Sequence, residues 1–247
     1  MQNHPILTLD ENAGALPESS RQACALRDFF LARDAGEMAA AAARIEAAGG
    51  GPAPAELRSP EGMRRAEYAF NRLFVGPMAL QAPPFASVYL DPEPLVMGGT
   101  TLTVREVYHA LGLASTLEGV LPDDHIGLEL DCAATMRAGL ERVRDPLLSE
   151  LHAWFVAEHM AAWVPSFVRR VEASPKETSG PADPVVDYCV GQLVHWLVAE
   201  VAAINEERGV PQSPETDDGD EAPSPVKPVV QHFAPRDTAA ESGDHTL

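Results

Sequence analysis

Apolar positions along the chain recur at helical spacing, and the segments are punctuated by clear helix-start signals. Ser59-Pro60-Glu61 sets a capping oxygen before a proline at the first helical position, and Asp145-Pro146 and Asp183-Pro184 repeat the arrangement. Proline is tolerated there because its missing N–H would be unpaired in any case. Thr103-Val104-Arg105-Glu106 reads as a capping box, and Asp123 or Asp124 is placed to cap a helix beginning near His125. These signals predict helices over 18–34, 37–48, 60–74, 103–111, 124–142, 146–173 and 184–206, with Pro165 expected to kink or divide the sixth. In the last segment Val186, Val190, Leu193, Leu197, Val201 and Ile204 fall at spacings of three and four. Val185, Tyr188 and Trp196 widen that stripe, which predicts a central helix. Strand patterns are poor: Ser87-Val88-Tyr89-Leu90 is short and stops at Asp91-Pro92. No repeat of solenoid period is present, and Gly49-Gly50-Gly51-Pro52-Ala53-Pro54 reads as a connector. The expected fold is all-α, a single-domain helical bundle.

Composition sharpens this picture at one end of the chain. Residues 208–247 hold six prolines and eight acidic against three basic residues, so they are read as an acidic, mostly disordered tail following a helical domain over 1–207. The whole 247-residue chain carries 37 acidic and 18 basic residues, a net charge of −19. Such a surface repels phosphate backbones and favours basic partners. Cys24, Cys132 and Cys189 are too widely spaced for a disulfide framework or a zinc site, and are expected as buried free thiols. Met1 to Asp10 lacks the basic start and apolar run of a secretory signal, and Val185 to Ile204 is interrupted by Asp187, His195 and Glu200. The expected location is therefore the cytoplasm.

Catalytic motifs are scarce. Gly98-Gly99 and Gly49 to Gly51 lack the lysine and serine of a phosphate loop, and neither GxSxG nor HExxH occurs. His152 and His159 stand seven apart and could share a helix face, which reads as a helix surface rather than a metal site. Asp123-Asp124-His125 admits three readings: half of an acid–base pair, a metal ligand set with no further ligand nearby, or a helix N-terminus capped by carboxylates. The stretch from Phe70 through Pro77 and Met78 to Pro83-Pro84-Phe85-Ala86-Ser87-Val88-Tyr89 ends a helix and continues as a proline-rich aromatic loop. Its apolar residues either cover the core or form a binding surface.

Taken in order, these stretches resemble the TorD/DmsD family of redox-enzyme maturation chaperones. The resemblance rests on Arg72-Leu73-Phe74-Val75-Gly76-Pro77, on Pro83-Pro84-Phe85-Ala86-Ser87-Val88-Tyr89-Leu90-Asp91 and on Leu111-Gly112-Leu113. It continues through Pro122-Asp123-Asp124-His125-Ile126-Gly127 and His159-Met160-Ala161-Ala162-Trp163, with Val226-Lys227-Pro228-Val229 as a docking segment in the tail. It covers about residues 60–205. It implies a TorD-like bundle of about ten helices, with no catalytic residue, metal or cofactor of its own. The implied role is to bind the twin-arginine signal peptide of a molybdopterin oxidoreductase precursor in the cytoplasm until the cofactor is inserted and the enzyme exported. The site residues it implies are Phe74, Met78, Phe85, Tyr89, Pro122, Asp124, His125 and Trp163. The chain departs from close members of the family in carrying Met78, Phe85 and Tyr89 where they carry tryptophans. That departure bears on which enzyme is the client.

Physical chemistry is consistent with this reading. A partner with two guanidinium groups and an apolar helix-forming stretch is complemented by an acidic protein with an apolar groove. A carboxylate about 4 Å from an arginine gains roughly 4 kcal/mol at an effective dielectric near 20, before desolvation. Two alternatives stand beside it: an assembly chaperone of the NarJ branch whose client has no cleaved signal, and a helical nucleotide hydrolase using Asp124 and His125. The cofactor-insertion and translocation machinery are partner classes left open.

Overall fold

A computed structural model describes residues 16–76, 80–115, 117, 119–174 and 183–209. The tail, beyond Gly209, and Met78 lie outside them. The fold is all-α. Nine α-helices are found among the described residues: α1 (Glu18–Phe30), α2 (Ala35–Ala47), α3 (Pro60–Phe70), α4 (Ser87–Leu90), α5 (Gly99–Ala110), α6 (Ile126–Arg142), α7 (Pro146–Ala153), α8 (Ala161–Glu172) and α9 (Pro184–Glu207). A 3-10 turn, Ala55–Arg58, precedes α3. Two π-helical segments, Asn71–Val75 and Trp154–Met160, extend α3 and join α7 to α8.

The three proline starts fold as the sequence predicts. Ser59 Oγ accepts from Gly62 N at 2.9 Å, Asp145 Oδ1 from Leu147 N at 2.8 Å, and Asp183 Oδ1 from Val185 N at 2.9 Å. Each satisfies a backbone donor that the first helical turn leaves over. Other starts differ. The predicted capping box at Thr103 lies inside α5, which begins at Gly99, and Thr103 Oγ1 donates back to Gly99 O at 3.3 Å. Asp91, nine residues upstream of Thr100, accepts from Thr100 N at 3.1 Å and does the capping instead. Neither Asp123 nor Asp124 caps α6: His125 does, its Nδ1 accepting from Gly127 N at 3.1 Å. Ser87–Leu90 is a helical turn.

Pro165 sits inside α8 without dividing it. The irregularity falls one turn earlier, where the chain widens to π pitch over Trp154–Met160. Proline removes the donor for the carbonyl four residues before it, that of Ala161 in the first turn of α8.

The core is organised around α1 and α6, the most extensive helix pairing, with α2 and α9 also packed on α1. α6 is the central helix: every residue from Ile126 to Ala134 is buried. α9 buries Val185, Val186, Leu193 and Trp196 but leaves Val198 in solvent, so it is less central than its apolar stripe suggests. α9 is long and apolar enough to cross a membrane by composition, yet its buried face packs on α1, α3 and α8. It also carries the buried Glu200, which accepts from Ser19 Oγ of α1 and lies 3.4 Å from His152 Nε2 of α7. Arg27 of α1 reaches Asp131 of α6 at 2.5 Å, and Ser20 Oγ donates to Ala134 O at 3.1 Å. Gly127 allows the close approach at the α1–α6 crossing, since a Cβ there would stand 2.8 Å from Leu31 Cγ and displace that side chain. The three cysteines are free and buried, as expected.

Candidate functional site

The site is built where the loop after α3 returns to the start of α6. Its backbone is stitched at four points. Ala82 N donates to Leu73 O at 3.0 Å, Ala86 N to Asp124 O at 3.0 Å and Ile126 N to Pro84 O at 2.9 Å. Arg170 Nε of α8 donates to Gln81 O at 2.8 Å. Phe85 and His125 thereby face each other in a single antiparallel bridge, with their rings edge to face at 5.2 Å.

Asp124 is the clasp of this junction. It is fully buried, and its oxygens accept from Ser87 N and from Thr101 Oγ1, each at 2.8 Å. One carboxylate thus holds the first residue of α4 and the first turn of α5 against the start of α6. Asp123, beside it, pairs with Arg105 Nε at 2.5 Å while its carbonyl accepts from Tyr108 Oη at 2.8 Å. Pro122, half-buried, closes the turn by accepting from His125 N at 3.1 Å.

His125 is neutral by construction. Burial pushes it down to about 3, because no opposite charge compensates the lost hydration. With Nδ1 accepting from Gly127 N, the ring proton sits on Nε2. Asp124 and His125 therefore do not form an acid–base pair, since each makes its hydrogen bonds elsewhere. That removes the structural basis for a hydrolase built on these two residues.

Beneath the loop lies an aromatic wall. Tyr89 stacks on Trp163 at 5.6 Å, and its hydroxyl donates to Pro83 O at 2.9 Å. Phe167 joins Trp163, at 5.8 Å, to Phe74, at 5.7 Å. Phe74 continues to Phe70 and Phe30, at 5.1 and 5.8 Å. Phe167 is not among the residues that sequence reasoning selects, although its place four after Trp163 puts it on the same face of α8. Trp163 Nε1 donates to Glu129 Oε2 at 3.0 Å, and His159 Nε2 lies 2.7 Å from Glu129 Oε1. Glu129, on α6, is fully buried, and burial raises its pKa against the pull of His159. His152 and His159 are thus interior residues, not a helix surface. The π turn between them sends His152 to Glu200 of α9 and His159 to Glu129 of α6.

Of the eight residues singled out from the sequence, seven are described. Phe74, Tyr89 and Trp163 share the aromatic wall. Phe85, Pro122, Asp124 and His125 share the loop junction. Ser87 N on Asp124 links the two groups. Phe74, Phe85, Asp124, His125 and Trp163 are all buried. The loop residues Ala82 to Ser87 therefore cover the core, while apolar side chains further along, Leu90 and Leu95 to Met97, are exposed. Among the described residues no three His, Cys, Asp or Glu side chains are grouped to hold a metal ion.

Comparison with known proteins gives this arrangement its context. The chain is 36% identical over 100 residues to a protein of Salmonella typhi named Tat proofreading chaperone DmsD, covering 40% of this chain and 46% of that one. A protein of the same designation in Haemophilus influenzae is 34% identical over 129 residues, covering 52% and 59%. The match thus spans about half the length of these relatives. A solved structure from Archaeoglobus fulgidus, described as a redox enzyme maturation protein, aligns with a TM-score of 0.46 and 20% identity over 77% of this chain and 99% of that one. Residues 31–169, more than half of the chain, match the family model described as nitrate reductase delta subunit. The chain belongs to that family, in which the TorD, NarJ and DmsD chaperones stand.

Proposed function

We propose that this protein is a cytoplasmic chaperone, without catalysis of its own, that binds the twin-arginine signal peptide of a molybdopterin oxidoreductase precursor. It would hold that precursor until cofactor insertion and export. The observation that carries the reading is the junction of the aromatic loop with the α6 start, in a chain whose relatives are named as Tat proofreading chaperones. Family membership supports the role, and the geometry supplies a mechanism. Asp124 holds Ser87 and Thr101 together, so the carboxylate is a positioning residue that sets the loop's shape. Phe74, Tyr89 and Trp163 back the loop as a rigid aromatic floor, and Phe85 locks it to His125. The net charge of −19 supplies the long-range attraction for a partner bearing two arginines.

The test uses the purified full chain and synthetic peptides for the twin-arginine signals of every molybdopterin oxidoreductase encoded in the source genome. Isothermal titration should find at least one signal that binds at a single site. Phe85→Ala and Tyr89→Ala should raise its off-rate in variants shown to be folded. Absence of binding by every signal sinks the proposal. Binding of a signal-free apoenzyme in its place moves the protein to the assembly-chaperone reading.

A further inference from the structure

We propose that the loop from Asp91 to Gly98, with Leu102 and Glu106 of α5, is the docking surface for the apolar stretch of the client's signal. This rests on the reading just given and names the place where the hydrophobic half of that ligand sits.

The loop breaks the usual pattern of a surface turn. Leu95, Val96 and Met97 are consecutive and all exposed, Leu95 by 61% and Met97 by 70%; Leu102, on the first turn of α5, is 57% exposed. Isolated apolar side chains on a surface are ordinary, but a run of this kind marks an interaction site. Nor is the loop slack. Asp91 at one end accepts from Thr100 N at 3.1 Å and from Thr100 Oγ1 at 2.5 Å beyond the other end. Gly98 packs directly against the Asp91 carboxylate, which a Cβ there would displace. Leu95 N donates to Glu93 O at 2.7 Å across the tip. The result is a short closed loop of the kind often used for recognition.

Met97 is the one described non-glycine residue with positive φ, at 68°. That backbone state disfavours a side chain bearing a Cβ, yet here it presents a methionine to solvent. Strain held in place by surrounding hydrogen bonds is characteristic of binding segments. Methionine is also the apolar side chain best able to adapt to variable partners.

Charge selects the partner. No lysine or arginine occurs between Arg72 and Arg105, and Arg105 is paired with Asp123. Glu93 lies in the loop and Glu106 one turn beyond Leu102 on the same helical face, both exposed. An apolar loop whose own charged side chains are the carboxylates Asp91 and Glu93, with Glu106 beside Leu102, fits a segment that is apolar and cationic. It disfavours an anionic membrane, and it disfavours a second copy of a chain with net charge −19. Position agrees: the loop runs from α4 to α5, the two elements that Asp124 ties together, so the surface is continuous with the site.

The experiment uses the full chain with the double substitution Leu95→Ser and Met97→Ser, and separately Leu102→Ser. These side chains are exposed, so unchanged circular dichroism and urea midpoints are expected. Two probes are titrated: a signal from the panel that binds the wild type, and the same signal with its arginines kept and its apolar stretch replaced by serine and glycine. The double variant should lose at least about tenfold in affinity for the complete signal, the scale expected for losing apolar contacts of this size, and should bind the polar version as the wild type does. Full-strength binding of the complete signal by the folded variants overturns the docking surface and leaves the chaperone reading standing. Equal losses for both probes overturn it too, because the loop would then not be reading the apolar stretch. A wild-type dimer that the variants dissolve, with peptide affinity unchanged, would assign the surface to self-association. Failure of every panel signal to bind the wild type would remove both proposals together.

Discussion

Replacing Asp124 by alanine tests the clasp directly. The carboxylate is fully buried and accepts two hydrogen bonds at 2.8 Å, one from a backbone amide and one from a hydroxyl, both themselves in the interior. Bonds to a charged acceptor are worth roughly 1.5–3 kcal/mol each, and a buried donor left without a partner costs about 1–3 kcal/mol. Against this stands the relief of no longer burying a carboxylate, so the two bonds do not sum in full. A net loss of about 2–4 kcal/mol follows, a fall in melting temperature of roughly 4–16 °C for a fold of this size. Asp124→Asn keeps one acceptor oxygen and should lose about half as much. Urea unfolding gives the stability. Hydrogen exchange on the Ser87 amide gives the location, since that proton should lose protection well before those in the middle of α6. A stability change below about 1 kcal/mol, or unaltered protection at Ser87 with the rest of the fold loosened, would refute the idea that this carboxylate holds the loop.

Three further outcomes are expected. His125 is held near 3 in the folded state by burial, below its value of about 6.5 in the unfolded chain, so its contribution is complete above that value and is lost as pH falls towards 3. His152, lowered to about 4 by burial and by Arg137, acts in the same direction, whereas Glu129 and Glu200, raised by burial, act against it. His125→Gln should therefore flatten the fall in urea stability between about pH 6 and pH 4 by about 1.4 kcal/mol per pH unit, and an unchanged slope would contradict the burial argument. Glu129→Ala strands both His159 and Trp163 and should destabilise by about 3–5 kcal/mol with a shift in tryptophan emission, while Glu129→Gln should cost markedly less. Pro165→Ala restores a backbone donor at an exposed position of α8 and should stabilise by about 1–3 kcal/mol; a loss in thermal unfolding would mean that the proline sets the helix path.

What the sequence reveals and hides follows from the range of the interactions. Ser59, Asp145 and Asp183 are legible because a cap lies within three residues of the donor it satisfies. Asp124 is not legible as a clasp, because Ser87 and Thr101 lie 37 and 23 residues away in the chain. The centrality of α6 is hidden by Glu129 and Asp131, whose charges break its apolar pattern although both are buried with partners. α9 shows the opposite: a clear stripe on a helix that keeps one side in water. The residues of the candidate site are found by their order along the chain and by the family resemblance. Their burial, and the exposure of Leu95 to Met97, depend on how the loop folds back, which no local pattern encodes.

The widened turn at Trp154–Met160 amounts to one residue more than a regular helix would need. An α-helix advances about 100° per residue, and the widened turn absorbs the extra residue within itself, so the rotational phase of everything after it is kept. Deleting a single residue there, Ala157 for instance, would let the backbone relax to continuous α-helix with its hydrogen bonds intact. Trp163 and Phe167 would keep their phase against Tyr89 and Phe74, because the wide turn and the regular turn that replaces it sweep about the same angle. The segment is thus a place where the chain tolerates a change of length: a deletion here leaves the aromatic floor in phase, while the same deletion in the regular turn just before Trp163 would swing that floor round by about 100°.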